Sequence, residues 1–486
     1  MGLNPVSIEN FPGLDTRTDP GDSRGALDLS NVTLEQGSVR TRDGSASFFT
    51  MGSRVIYASL FERGANAPHV IFGATGTPGS LTAVTSAGVS VASTAVASLT
   101  NPLAGVRIGT TANSYFYIAN PNAATLTRWD GAAWTFPAVL PAGITNPYAI
   151  SYSPTDNRLA VAFQSQLSFS DPGAPETFGA NNFVKLTPGD SENINAMCVF
   201  NNQLFVFKTT KFFVFYGTSA DPAGNPVFNY RTVDTGNGLW GGINGQAVAV
   251  GDDAVYFLGR DGIYRTTGST PVKMSSPLDG VFGVAPINPF WQGGTFKSQS
   301  ATFTTLLWFD GRLYVSLPMS TSVNTVFVYD RRLNSWSWWN LDARALASAG
   351  ASAAVNDARR LVFQNGNNAN TFRMDPTLSA DAGSAIVSRY RLPFEDYGSP
   401  RRKRLRETII EGTGTVTAQW SKDWGALTTG SSVVLGTSPA IATARQRLAM
   451  LGNSFSLQLG ASSGAWSVNR VQANVSDALG GPEITV

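Results

Sequence analysis

The 486-residue chain is short of charge, of cysteine and of histidine: it holds one cysteine, Cys198, and one histidine, His69. A lone cysteine excludes an intrachain disulfide. One cysteine and one histidine also cannot supply the several nitrogen and sulfur ligands of a zinc site. A Ser-His-Asp triad has only His69 to build on, and no Gly-x-Ser-x-Gly segment fits a strand-to-helix turn. Phosphate-binding, dinucleotide-binding and calcium-loop motifs are missing, so no cofactor is implied and the chain reads as a non-enzyme. Cys198 sits in the apolar run Ala196-Met197-Cys198-Val199-Phe200. Without a nearby cation or base to activate it, this is a buried structural thiol.

Charged residues make up only 14% of the chain, against about 25% in ordinary globular proteins. The net charge is +2, from 35 basic and 33 acidic residues. A protein that grips nucleic acid shows a large basic excess; this one could surround DNA without holding it. No run approaches 18 apolar residues, so no membrane-spanning helix is expected. The first residues carry no basic-then-apolar export pattern, and Val6 stands where myristoylation needs Ser or Thr.

What the chain does have is turns and short apolar strands. There are 49 glycines and 26 prolines, and apolar residues reach 42%, enough for real cores. Helical periodicity is scarce; Ala343 to Ala354 is Ala-rich, but its Gly and Ser weaken a helix. Strand–turn–strand units recur instead, such as Tyr115–Ile118 with Thr125–Trp129, and Arg312–Val315 with Val326–Asp330. The Asp-Gly pairs at 130, 261 and 310 offer the positive φ that tight hairpins need. Taking Tyr115, Leu159, Leu204, Val255, Leu313 and Leu361 as anchors, subtraction gives spacings of 44, 45, 51, 58 and 48 residues. Propeller blades repeat about every 40–50 residues, and a closed ring protects sheet edges that a row of meanders leaves open. An earlier pair, Val55–Ala58 with Val70–Phe72, starts one more unit, giving six or seven blades.

The expected fold class is therefore all-β: a β-propeller-like ring of antiparallel blades with an appended C-terminal β-sandwich. Residues 1–50 lack the hairpin pattern and read as an extended segment joining the propeller, which covers 51–384. From 385 to 486, alternating strands such as Gly414–Trp420 and Trp466–Val475 read as the sandwich. Ordinary meanders in a sandwich are the alternative; the persistence of the spacing favours the propeller. Asp252-Asp253, Asp310 and Glu395-Asp396 are carboxylates from which a glycosidase could be built. Ser421-Lys422-Asp423-Trp424-Gly425 loosely resembles a sialidase Asp-box turn, but occurs once and outside the propeller. Trp308, Trp336, Trp338 and Trp339 could form a sugar platform, although blade cores need such bulk.

A basic run, Arg401-Arg402-Lys403-Arg404-Leu405-Arg406, opens the C-terminal region. On an extended strand Arg402, Arg404 and Arg406 share one face, and Arg401, Lys403 and Leu405 the other. Guanidinium groups so placed suit carboxylates of a neighbouring subunit or DNA phosphates; a solvated edge strand guarded by charge is the plainer reading. Arg401, Arg402, Lys403, Arg404 and Arg406 are thus the candidate interface.

The N-terminal stretch Phe11-Pro12-Gly13-Leu14-Asp15-Thr16-Arg17, with Ala26-Leu27-Asp28-Leu29-Ser30-Asn31-Val32 and Arg40-Thr41-Arg42-Asp43-Gly44, resembles the start of phage tail nozzle proteins (tail tubular protein B-like). Asp15 and Asp43 stand where that family commonly has Asn and Pro. Ser170-Asp171-Pro172-Gly173-Ala174-Pro175-Glu176, Tyr256–Tyr264 and the basic run are similar to later segments of the same family. The resemblance implies a virion structural protein: a hexameric ring of identical subunits below the portal and adaptor, contacting tail fibre or needle proteins. Double-stranded DNA would pass through its lumen without sequence-specific binding, and assembly would occur in the host cytoplasm. The alternatives are a propeller that binds or cleaves cell-surface glycan, and another tail component such as a distal tail or fibre-attachment protein.

Overall fold

The computed structural model describes residues 4–8, 11–17, 25–62, 68–100, 103–109, 114–136, 140, 143–234, 244–298, 303–320, 323–349, 360–364, 369–397, 401–428, 430–437 and 440–477. It is built almost wholly of strands. Among the described residues helix is confined to short pieces, chiefly a turn at Ser276–Leu278 running into Asp279–Phe282.

Five strands precede the ring: β1 (Asn4–Ile8), β2 (Asp28–Ser30), β3 (Val32–Glu35), β4 (Ser38–Thr41) and β5 (Gly44–Thr50). The first blade is β6 (Val55–Phe61), β7 (His69–Ala74), β8 (Gly79–Thr85) and β9 (Ser90–Val96). The second is β10 (Ala104–Gly109), β11 (Ser114–Ala119), β12 (Thr127–Trp129) and β13 (Trp134–Thr135). The third is β14 (Ala149–Ser153), β15 (Arg158–Phe163), β16 (Gln166–Phe169) and β17 (Phe183–Lys185). The fourth is β18 (Ala196–Phe200), β19 (Gln203–Phe207), β20 (Lys211–Ala220) and β21 (Pro226–Asp234). The fifth is β22 (Val248–Val250), β23 (Val255–Leu258), β24 (Ile263–Thr266) and β25 (Val272–Lys273). The sixth is β26 (Thr305–Phe309), β27 (Arg312–Pro318), β28 (Asn324–Asp330) and β29 (Ser335–Trp339). The last combines β30 (Leu346–Ala349), β31 (Arg360–Gln364) and β32 (Asn370–Asp375) with β5, extended by β33 (Ala380–Asp381) and β34 (Ser384–Ala385).

Six of these blades are separate antiparallel sheets, while the meander β26–β29 is continuous through β29 with a larger sheet. From the second blade onward each first strand lies against the next around the axis, and β30 returns against β6; Ile56 and Tyr57 of β6 share a core cluster with Phe116 and Ile118 of the second blade. The ring is a β-propeller. All six spacing anchors fall on the second strand of successive blades. Because β32 pairs with β5, N-terminal and C-terminal strands of the ring close it together.

Alternation explains why the blade strands read as near-continuous apolar runs. In β11, Phe116 and Ile118 pack towards the first blade while Tyr117 and Ala119 pack towards the third. In β19, Leu204 and Val206 face the third blade and Phe205 and Phe207 the fifth. Both sheet faces are buried, so neither can be polar. Each fully buried Phe or Leu contributes about 1.5–3 kcal/mol.

Two expectations need correction. Residues 1–50 do contain a hairpin, β3–β4, turning at Gln36-Gly37; its four-residue strands are too short to stand out. The Ala-rich stretch, in which Gly and Ser weaken a helix, forms strand β30, with Leu346 and Ala347 buried at a blade position. Asp310-Gly311 and Gly131 adopt positive φ, but Gly262 does not. Asp261 instead accepts the Tyr264 hydroxyl at 2.7 Å and pairs with Lys273 at 3.2 Å.

The C-terminal strands are β35 (Ser388–Arg391), β36 (Lys403–Lys422), β37 (Ser431–Val434), β38 (Ala442–Gly452), β39 (Phe455–Ala461) and β40 (Trp466–Asp477). They form two sheets that share β36. Its first half lies between β38 and β40, and its second half between β37 and β39. It crosses between sheets at Gly412 and Gly414. A Cβ on Gly412 would lie 2.0 Å from the Ser467 carbonyl oxygen, and Gly414 has φ +84°, so both positions require glycine. Leu405, Ile410, Trp420, Leu457, Trp466 and Val471 fill the space between the sheets.

The N-terminal segment joins sandwich and ring. β1 and β4 add to β40, and β2 lies between β29 and β35. Nearby, the buried Arg42 donates Nε to Asn31 Oδ1 at 3.1 Å and forms a two-pronged ion pair with Asp381. Removing one partner of a buried pair leaves the other charge uncompensated. Asp381→Ala should therefore cost about 3 kcal/mol in denaturant unfolding; a loss below about 1 kcal/mol would show the clasp to be dispensable.

Candidate interaction surface

The basic run lies at the entry to β36. Arg401 and Arg402 precede the strand, which starts at Lys403. Arg402, Arg404 and Arg406 are exposed, while Lys403 and Leu405 are buried. Arg401 departs from the expected alternation: it is exposed, because the chain is not yet extended there. Lys403 turns inward, and its Nζ donates to the carbonyl oxygens of Arg401 and Asn453, both at 3.0 Å. It is a structural cap on this end of the sandwich, not a member of the exposed cluster.

A register shift between Leu405 and Glu407, against both β38 and β40, leaves Arg406 outside the ladder. Such a bulge re-aims a side chain. Beyond it Glu407 and Glu411 continue the outer face, opposite Arg447 and Thr443 on β38. Glu407 accepts Asn474 Nδ2 at 3.0 Å and lies 4.0 Å from Arg445, and Glu411 lies 3.8 Å from Arg470. Among the described residues Arg402, Arg404, Arg406 and Arg447 make no ion pair. The face thus carries unneutralised positive charge over a wall that holds only two carboxylates. Sequence reading missed the β38 contribution, because Ala442-Thr443-Ala444-Arg445-Gln446-Arg447 is poor in β-branched and aromatic residues.

The other sequence candidates are dispersed. Trp336, Trp338 and Trp339 are buried, their indole N–H groups donating to Met274 O, Asp28 Oδ1 and Val32 O. Trp308 stacks on Tyr256 at 5.0 Å. Asp253 is held by the Tyr256 hydroxyl at 2.8 Å and by Arg331 at 3.3 Å. Asp310 occupies a positive-φ turn position. The Glu395 carboxyl is pushed up by burial and further by Asp396. Asp423 accepts the backbone N–H groups of Asn453 and Ser454, and Trp424, 45% exposed, stacks on Phe394 at 4.6 Å. Among the described residues no three His, Cys, Asp or Glu side chains converge as metal ligands would.

The axis of the ring is filled at one level. Gln246 donates Nε2 to Ile56 O at 3.1 Å and accepts from Thr305 Oγ1 at 3.1 Å, while its carbonyl accepts from Leu306 N. A Cβ on Gly245 would meet Ala104 Cβ at 3.0 Å. What remains is a cavity of about 280 Å³ lined by residues such as Ser59, Gly105, Val248 and Ser348.

The chain matches no family model and no curated protein sequence.

Burial desolvates the two sequence-unique side chains. The His69 imidazole, edge-on to Trp129 at 5.8 Å, is pushed down by burial. The half-buried Cys198 thiol, packed with Ala196 and Phe200, is pushed well up. The thiolate is the reactive form, and an ordinary thiol has a pKa of about 8.5. At pH 9 the folded chain should therefore react with iodoacetamide at least about tenfold more slowly than the guanidinium-unfolded chain. Equal rates in mass-spectrometric time courses would contradict the burial.

Proposed function

We propose that this chain is a structural, non-catalytic subunit of a phage tail, of the nozzle type. Identical copies form a ring, six in number by the family resemblance, below the portal and adaptor. DNA passes between the copies, not through any one of them. The observation that carries the subunit role is the outer face of β36. Among the described residues Arg402, Arg404 and Arg406 stand exposed and without an ion-pair partner, a concentration of positive charge that suits a partner supplying the opposite sign. Two other features support the reading. The propeller axis is plugged at Gln246, which suits a wall element. The stretches that carry the resemblance, Phe11–Arg17 and Ala26–Val32, are the ones that join ring to sandwich: Leu14 N donates to Trp336 O at 2.8 Å and the Tyr390 hydroxyl to Pro12 O at 3.2 Å.

A glycan-binding tail protein is the second reading, favoured by one observation, the exposed Trp424 stacked on a buried Phe394. A distal tail or fibre-attachment protein would use the same basic face. Position in the particle separates these roles. Low-resolution imaging of purified virions should place the chain in a sixfold ring on the tail axis; single copies, or copies without rotational symmetry, would sink the ring.

The arginines are tested separately. Replacing Arg402, Arg404 and Arg406 together with Gln should leave the isolated subunit folded and reduce ring formation in particle assembly at least about tenfold, as expected when several charge-assisted contacts are lost together. Intact rings with altered genome ejection would move these residues to the DNA side. Normal assembly with normal ejection would return them to solvent.

A further inference from the structure

The open edge of β38 is the surface that the fold leaves unfinished. β38 is an 11-residue strand, Ala442–Gly452, paired on one side with β36. Among the described residues nothing pairs with its other side. A strand of this length spans about 35 Å at ~3.3 Å per residue, and half of its backbone N–H and C=O groups point outward unpaired. Edge strands are commonly guarded by proline, by shortness, by bulges or by charge. β38 has no proline and is long; its guards are Arg445, Arg447 and the bulge opposite Leu405–Glu407, so a partner on this edge must answer positive charge.

Its two faces differ chemically. Towards the core, Ala444, Leu448 and Met450 pack against the sandwich interior but stay half-exposed, so the core is uncapped along this edge. Between them lies Gln446, whose buried Oε1 accepts no hydrogen bond. Directly opposite in register, the buried Thr408 Oγ1 also has no partner. Buried polar atoms are nearly always paired, so this cross-strand pair is a weak point of the β36–β38 ladder, beside the open edge. Towards solvent, Arg445 and Arg447 alternate, with Arg404 and Arg406 on the adjoining strand. Two exposed apolar side chains lie outside the strand itself, Ile441 just before β38 at 58% and Val434 at the end of β37 at 72% exposure.

We propose that β38 takes up an extended acidic segment of a partner protein by strand addition. Backbone pairing gives affinity and alternate side chains give specificity in this mode. Residues of the added strand that point inward are apolar and cover Leu448 and Met450. Those that point outward are Asp or Glu and meet Arg445 and Arg447. The pattern sought is therefore a run of acidic and apolar residues in strict alternation. A second copy of this chain fits less well: none of its described strands alternates Asp or Glu with apolar residues over such a run. The inference does not depend on the tail assignment, since it concerns any partner of that chemistry.

The probe is a fluorescent ten-residue peptide alternating Glu and Val, with a control of the same composition in which the Glu residues are blocked together. The full chain should bind the alternating peptide at least tenfold more tightly than the blocked one, more weakly as salt rises, and with hydrogen-exchange protection gained at 442–452. The double variant Arg445→Glu, Arg447→Glu, checked for an unchanged fold by circular dichroism, should lose at least tenfold towards the Glu peptide and gain towards a Lys–Val peptide. Equal binding of both peptides, or protection elsewhere than on β38, would falsify the proposal. So would self-association through β38 without peptide, or preference for single-stranded DNA over the acidic peptide.

Discussion

The junction rests on one three-residue strand. β2 must satisfy two sheets at once: it runs parallel to β29 of the ring and antiparallel to β35 of the sandwich. Its side chains do the same. Asp28 accepts the Trp338 indole N–H on one side and Arg389 Nε on the other. Its carboxyl is raised by burial, against which Arg389 and Trp338 pull down. Asn31, at φ +53°, directs Nδ2 to Val387 O and uses Oδ1 to accept from Arg42 and Asn340 N. A buried carboxylate and a buried amide are tolerable only when fully bonded, and here that demand fixes how the blade β26–β29 meets the sandwich.

Neighbouring features follow from that constraint. Because β2 feeds directly into β3, β4 and β5, the segment that joins the sandwich also supplies the strand that closes the ring. The core cluster at this point is continuous: Leu29, Val32, Trp336, Trp338, Leu405 and Trp420 belong to one body of packed side chains. Arg391, stacked at 3.9 Å on Phe290, is lowered to about 10 by that burial. The ring's other inter-blade contacts are separate apolar clusters, each filled from both flanking blades. Polar anchoring is dense where the two architectures meet, while the apolar clusters between blades are supplemented by single polar ties such as buried Lys208 with Asp190 at 2.7 Å and Asp253 with Arg331 at 3.3 Å.

For the proposed role the division is useful. The propeller is plugged and low in charge, which suits a wall past which a polyanion moves. The unneutralised positive charge lies on the sandwich, on β36 and β38, where partners rather than the ring itself would be engaged. Tight binding and free passage make opposite demands on electrostatics, and the proposed role would place them on different sheets.

The blade spacing, the turn-rich composition and the near-continuous apolar strands were legible in the sequence because they are local: a strand buried on both faces needs apolar residues at every position. The exposure of Arg402, Arg404 and Arg406 was legible for the same reason, since a period of two needs only an extended backbone. Tertiary structure decided what depends on distant pairing. It placed β5 beside β32, put Arg42 beside Asp381, plugged the axis with Gln246, and turned Lys403 into a cap on two carbonyls. It also made a long edge strand of Ala442–Gly452, whose residue types have little intrinsic strand preference. These outcomes rest on contacts between residues far apart in the chain, and local composition carries no record of which partner each will meet.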